Sequence, residues 1–381
     1  MTWLAHHKAS EAAAAAAHDA RRDGQVDKSR RLFATAAAEE IAALGFLNSE
    51  EKPRTFGITA VSAVALEYKA GDLAQAERLA HSILADPGIP AFAIDQLREL
   101  LQTIWNEQAQ ASAGVSFVPG QITLSVDGGE VVRGGAPLDL IVERVQTVQS
   151  LFYRTAEFLK KVPLRKHGPA PRNIQDLYRP WLFQSIPGSY QFTVAIQGPT
   201  QPDLFADGMP EPSVVVAKFM AILESAATDP AQALPEEVPD GEYRKTFLKL
   251  ARNLAPAGPS FTRMEIRSSQ LRSPVLLTQE SRKAMTRTIR GEVTGKMLTS
   301  EQVVLKGILR AVHLEQDWLE LFVEDVLVRI KGVGETVDDV IGPMVNRTVA
   351  VEALRDARGA YVFQDIESID ESSDPLKQKR L

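Results

Sequence analysis

The sequence predicts a multidomain α+β protein: N-terminal α-helical hairpins, a middle α+β domain and a C-terminal five-stranded β-barrel. Three observations carry that expectation. Residues 8–44 and 55–85 are Ala-rich stretches free of Pro that break at Gly24 and Gly71. The segment Ser189–Gln197 alternates Tyr190, Phe192, Val194 and Ile196, a period of two that marks a half-buried strand. From Gln302 onward the text turns to short β-branched and aromatic runs separated by turn residues.

Composition sets the outer limits. A chain of 381 residues, 44% hydrophobic and 24% charged, has room for two or three ordinary cores. With no cysteine, it has no thiol nucleophile, disulfide or Cys-ligated metal. The start, MTWLAHHKASEAAAAAAH, lacks the basic and apolar regions of a secretory signal, and no apolar run reaches membrane-spanning length, so a cytoplasmic protein without a membrane partner is expected. Net charge is −6, yet residues 151–300 hold 20 Lys/Arg against 14 Asp/Glu, leaving −12 on the flanks. That asymmetry points to a basic middle.

Four N-terminal helices are predicted at 8–22, 26–44, 55–69 and 73–85, forming a TPR-like domain over 1–112. Laying Gly24 on Gly71 brings Val26 onto Leu73, Arg31 onto Arg78, Leu32 onto Leu79 and Ala38 onto Ala85, an offset of 47 residues. Gly71, Ala76, Asp86 and Pro87 in one copy, with Gly24, Phe33 and Ala36 in the other, resemble the tetratricopeptide repeat family. Ser29 stands where that pattern has a small Ala, and Ala80 where it has an aromatic. Such units bury their faces by stacking, and IDQLRELLQTIWNEQ supplies a capping helix. The alternative is a plain helical bundle. The resemblance implies a groove that docks a protein partner, with Tyr68, Lys69, Glu77 and His81 as its candidate residues.

AQASAG reads as a linker, followed by an α+β domain over 116–297. QITLSVDGGEVVRGGAPLDL reads as a β-hairpin: Ile122, Leu124 and Val126 go out, Asp127 and Gly128 turn, and Val131 and Val132 return. Helices are expected at 138–161, 213–226, 241–254 and 279–290, with strands in SYQFTVAIQ, FTRMEIRS and PVLLT. A Pro-rich loop spans 198–212. The last domain, 298–370, strings five strands with a short helix before the fourth, OB-like in outline, ahead of a disordered tail at 371–381. The ITLSVDGGEVVRGGAPLDL, PGSYQFTVAI and GILRAVHLEQDWLELFVED segments are similar to a module recurring in uncharacterised bacterial proteins, which would cover 116–370.

Chemistry is thinly marked. KKVPLRKHGPAPRN gathers Lys160, Lys161, Arg165, Lys166, His167 and Arg172 in one loop. Such cations suit phosphate or nucleic-acid binding, and equally suit a solvated loop beyond a helix C-terminus. Tyr178, Trp181 and Phe183 lie nearby but read as core. Glu315, Asp317, Glu320, Glu324 and Asp325 match no calcium loop, and their charge opposes single-strand binding by the barrel. Asp338 and Asp339 read as helix N-terminal residues. Asp240, Glu242 and Lys245, or Glu265 and Arg267, are chance-level acid–base groupings. The six histidines show no metal spacing, and no GxSxG or phosphate-loop motif exists.

No cofactor and no catalytic residue are therefore expected, and an adaptor that docks a protein partner leads. Its second contact or homo-oligomer surface falls in the α+β and barrel part. The alternative is a nucleic-acid-binding accessory subunit, for example of a bacterial toxin or defence nuclease, using the basic middle.

Overall fold

The computed structural model describes residues 2–113, 117, 122–132, 135–183, 190–197, 208–268, 273–294, 301–334, 337–356 and 359–369. The chain falls into two compact units that divide between residues 115 and 116.

The first unit is helical: α1 (Trp3–Arg22), α2 (Val26–Leu44), α3 (Pro53–Ala70), α4 (Leu73–Leu84) and α5 (Ala91–Ser112). Small side chains let the helices approach closely, because Ala36, Ala37, Ala60, Ala63, Ala76, Ala80 and Ala93 are all fully buried. Ser29 is buried too, and its hydroxyl donates to the Ala17 carbonyl at 2.8 Å, so the polar residue costs little in this alanine seam. Gly71 ends α3 at φ 92°, where a side chain would be strained, and Asp72 caps α4 by accepting from Gln75 N at 2.9 Å. His6 meets Glu39 at 2.7 Å and His7 meets buried Glu40 at 3.1 Å, pinning α1 antiparallel to α2.

The second unit begins with a five-stranded sheet in the order β2-β3-β1-β4-β5. Its strands are β1 (Ile122–Asp127), β2 (Pro180–Phe183), β3 (Tyr190–Ile196), β4 (Arg263–Ser268) and β5 (Val275–Thr278), antiparallel at every pairing. Helices α6 (Leu138–Leu159), α7 (Arg172–Leu177), α8 (Pro212–Thr228), α9 (Ala233–Glu237), α10 (Gly241–Leu254) and α11 (Gln279–Thr294) belong to the same unit.

The expected hairpin does not form. β1 is the central strand, flanked by β3 and β4, and Val131 and Val132 do not return along it. Positive φ at Gly128 and Gly129 would suit a hairpin turn, but Gly129 packs so closely on the Pro259 carbonyl that a Cβ would not fit, and this contact diverts the chain. The chain at Glu130 then hydrogen-bonds to Ser260, turning toward the loop before β4 instead of back along β1.

The rest is a closed barrel of β6 (Glu301–His313), β7 (Trp318–Val323), β8 (Val326–Lys331), β9 (Thr348–Arg355) and β10 (Tyr361–Ser368). β6, β7 and β8 form an antiparallel meander, β10 joins β8 in parallel, and β9 closes the ring between β10 and β6. A π-helical turn, Val337–Ile341, and a 3-10 turn, Gly342–Met344, stand before the fourth strand. Asp338 and Asp339 are therefore not the start of an α-helix. They lie in the first turn of the π-helical segment, where Asp339 pairs with Arg154 and Arg165 and Asp338 accepts from Gly168 N.

One apolar core runs continuously from the sheet through the barrel. Ion pairs cross the same seam. Arg154 Nε donates to Asp339 at 2.7 Å, and Glu157 lies between Arg154 and Arg165, at 3.2 and 3.0 Å. Fully buried Arg252 on α10 grips Asp365 of β10 with bonds of 2.5 and 3.1 Å, and Lys249 stands 3.5 Å from the same carboxylate. Burial alone would raise Asp365, but Arg252 and Lys249 outweigh it and pull the carboxyl down to about 2.

Asp365 is therefore held below its unfolded value, and its contribution is complete above the ordinary Asp range and lost as pH falls from about 4 toward 2. Asp365→Asn should remove that part of the acid transition in far-UV circular dichroism. Arg252→Met, which strands the carboxylate, should cost about 3–5 kcal/mol in urea unfolding; an unchanged urea midpoint would show the pair to be inert.

Candidate functional sites in the two units

The four expected groove residues lie on α3 and α4, and three of them are engaged by α5. Tyr68 donates its hydroxyl to Glu107, and burial, followed by that bond, pushes the phenol upward. Glu77 accepts from Trp105 Nε1 at 2.8 Å and from Gln108 Nε2 at 3.1 Å, bonds that lower its carboxyl pKa. His81 packs against the Trp105 indole, with ring centroids 6.0 Å apart. Lys69 instead reaches the Phe33 ring, 5.6 Å from its centroid. These contacts form a clasp that holds α5 on the preceding hairpin.

A different surface is exposed at one end of this unit. The antiparallel succession of helices brings the α1 N-terminus, the α2 C-terminus and the N-termini of α3 and α5 together. His6 stacks on Phe46, the space above Gly57 is filled by Pro90 and Phe92, and Ser49 bonds to Asp86 across the two loops at 2.9 Å. There Leu4, Phe46, Ile58 and Phe92 stand 49%, 56%, 48% and 38% exposed.

The basic loop divides. Arg165 turns inward to Glu157 and Asp339, and the loop backbone is pinned by a bond from Val337 N to the Lys166 carbonyl and by Asp338 accepting from Gly168 N. Lys161, Lys166 and Arg172 remain exposed, and Lys160, at the end of α6, is half-buried. None of these four has an ion-pair partner among the described residues. The predicted patch thus loses its central arginine to the fold and keeps the flanking cations.

The acidic candidates have structural partners. Asp240 caps α10, accepting from Glu242 N and Tyr243 N at 2.9 and 3.0 Å. Glu265 accepts from Arg267 on the same strand. Asp317 accepts from Gly334 N at 2.6 Å, and Glu320 pairs with Arg329 at 2.7 Å. Glu324 and Asp325 form the β7–β8 turn in left-handed conformations. Among the described residues no three His, Cys, Asp or Glu side chains gather in a way that could hold a metal ion.

What pattern-reading missed is a cleft of about 350 Å³ between the helical layer and the barrel. Arg144 from α6, Asn253 from the end of α10, Arg282 from α11 and Asn346 and Arg347 from the approach to β9 line it. In sequence these residues are up to about two hundred positions apart, and none belongs to a motif.

No family model, curated protein or solved structure matches the chain. No described helix is long and apolar enough to cross a membrane.

Arg165 is separated from its neighbours by stability. Arg165→Met should lower unfolding stability by about 2–4 kcal/mol by leaving Glu157 and Asp339 undercompensated. Replacing Lys161, Lys166 and Arg172 together by Ala should change it by less than about 1.5 kcal/mol. Equal losses in chemical denaturation would mean that the loop acts as one structural element.

Proposed function

We propose that the chain is a non-enzymatic interaction protein: a TPR-like helical unit docks a protein partner, and an α+β unit with an OB-like barrel provides a second contact. The exposed apolar end formed by Leu4, Phe46, Ile58 and Phe92 is the observation that carries this reading. Isolated exposed apolar residues need no explanation, but four from successive helix ends, held on bonded loops, form a preorganised surface. The TPR-like assignment is supported by two successive antiparallel hairpins and their alanine seams. The OB-like assignment is supported by a meander whose third strand pairs in parallel with the fifth. The docking surface in this reading is the end of the helical unit, because Tyr68, Glu77 and His81 are engaged by α5. Phe46→Ser with Ile58→Ser in the full chain should leave the melting temperature within a few degrees, since both side chains are exposed. In affinity capture from the native host it should lose a stoichiometric protein companion that the unaltered chain retains. Companions kept in full by the double variant would refute the docking surface.

A second reading, nucleic-acid binding through the middle domain, is favoured by the three exposed cations of a loop whose backbone is fixed. Lys161, Lys166 and Arg172 converted to Glu should abolish binding to a single-stranded oligonucleotide. With the native residues, the logarithm of affinity should fall against the logarithm of salt with a slope of about −2 for three phosphate contacts. Affinity unchanged by the triple reversal would count decisively against that role.

A further inference from the structure

The cleft between the helical layer and the barrel has a floor of donors. Arg144 is only 5% exposed and Arg282 only 9%. Arg144 Nε and Nη1 are buried without a hydrogen-bond partner among the described residues, although Nη1 lies 2.9 Å from a Glu143 oxygen as an ion pair. The other Glu143 oxygen accepts from Arg347, so one carboxylate serves two guanidinium groups. The Phe261 ring faces the Arg144 guanidinium, 4.9 Å from centroid to Cζ, and holds it flat without satisfying its N–H groups. Arg282 spends its own donors on the Arg252 carbonyl at 2.6 Å and on Glu367 at 3.3 Å. Burial first, and then the neighbouring charge of Arg252, offset in part by Glu367, depress its pKa to about 10. Glu130 and Asp139 also line the cleft, but both are exposed at its mouth, where water screens them.

Buried guanidinium groups can only donate and do not lose their protons at neutral pH, and their fork matches planar or tetrahedral oxyanions. Asn253 lines the same wall; its Oδ1 lies beneath the surface with no hydrogen-bond partner among the described residues, so a side-chain rotation would bring it to a ligand. A cation would meet the wrong charge here, and an apolar ligand would leave these groups unmet. We infer that this cleft, bounded by Arg144, Arg282 and Arg347, is a binding site for a small molecule carrying a phosphate or carboxylate group. The volume exceeds that of a bare ion, which leaves space for the body of the ligand beside Asn253 and Asn346. The site joins α6, α10, α11 and the approach to β9, so occupancy ties the helical layer to the barrel. This inference is independent of the helical docking surface.

The test is calorimetric titration of the full chain at neutral pH and low salt with inorganic phosphate, adenosine 5′-monophosphate and succinate. Saturable one-to-one binding of at least one probe, with Kd below about 1 mM, is expected. Arg144→Lys keeps the charge and loses the fork, and should weaken that binding about 10- to 100-fold. If Arg144→Lys gives no cooperative melt, Arg347→Ala, on a partly exposed side chain, should weaken it in the same direction. Binding of the two phosphate probes without succinate assigns a phosphate site, and binding of succinate alone a carboxylate site. No heat from any probe up to about 10 mM, or binding indifferent to both variants, overturns the inference.

Discussion

The second unit depends on charges that are buried between its helices and its barrel. Arg252 and Asp365 are both withdrawn from water, as are Arg154 and Glu157, and withdrawing an ion costs several kcal/mol unless a partner and further hydrogen bonds meet it. Across the seam, α6 and α10 bring Arg154 and Arg252 to Asp339 of the π-helical turn and Asp365 of β10, while Glu157 steadies Arg154 from the same helix. Apolar burial would tolerate many ways of laying the barrel on the helices. A buried guanidinium tolerates few, because a small shift leaves it unpaired. The continuous core supplies adhesion, and the ion pairs fix the register of the docking.

That division explains what was legible in the sequence. Periodicity and breakers report local structure, so Gly24, Gly71 and the alternation of Tyr190 to Ile196 located helices and a strand closely. The five barrel strands were legible for the same reason. The short elements α7, β2 and α9 carry too few residues to show a period. The turn at Gly128 was read as a hairpin because its chemistry is that of a hairpin turn. The decisive fact, the approach of Gly129 to Pro259, involves a residue 130 positions away. Asp339 could be read only as a helix-end acid, since its partners Arg154 and Arg165 lie 185 and 174 residues earlier.

The candidate sites were less legible, and for a related reason. Tyr68, Glu77 and His81 have their partners on α5, Trp105, Glu107 and Gln108, about 24 to 40 positions later, beyond the reach of a local pattern. The exposed apolar end was hidden because Leu4, Phe46, Ile58 and Phe92 each look like ordinary members of their own helix or loop. The arginine cleft was hidden more deeply. Arg144 sits in IVERVQ, where a charge next to a charge on an amphipathic helix ordinarily faces water, yet it is buried against Phe261.

The two units are built on different physics, and their responses to solution conditions should differ accordingly. The helical unit is sealed by alanine and a few hydrogen bonds, so its stability follows packing and changes little with salt. The sheet and barrel are joined by ions whose effective pKa values depend on one another, as the opposed pulls on Arg282 and Asp365 show. The same ions shape the cleft. Glu143 holds Arg347 at its edge, while Arg144 Nε stays unmet among the described residues beneath its floor. An oxyanion placed there would supply negative charge where the seam has an excess of arginine. Ligand occupancy and the docking of the barrel are, on this geometry, a single electrostatic balance.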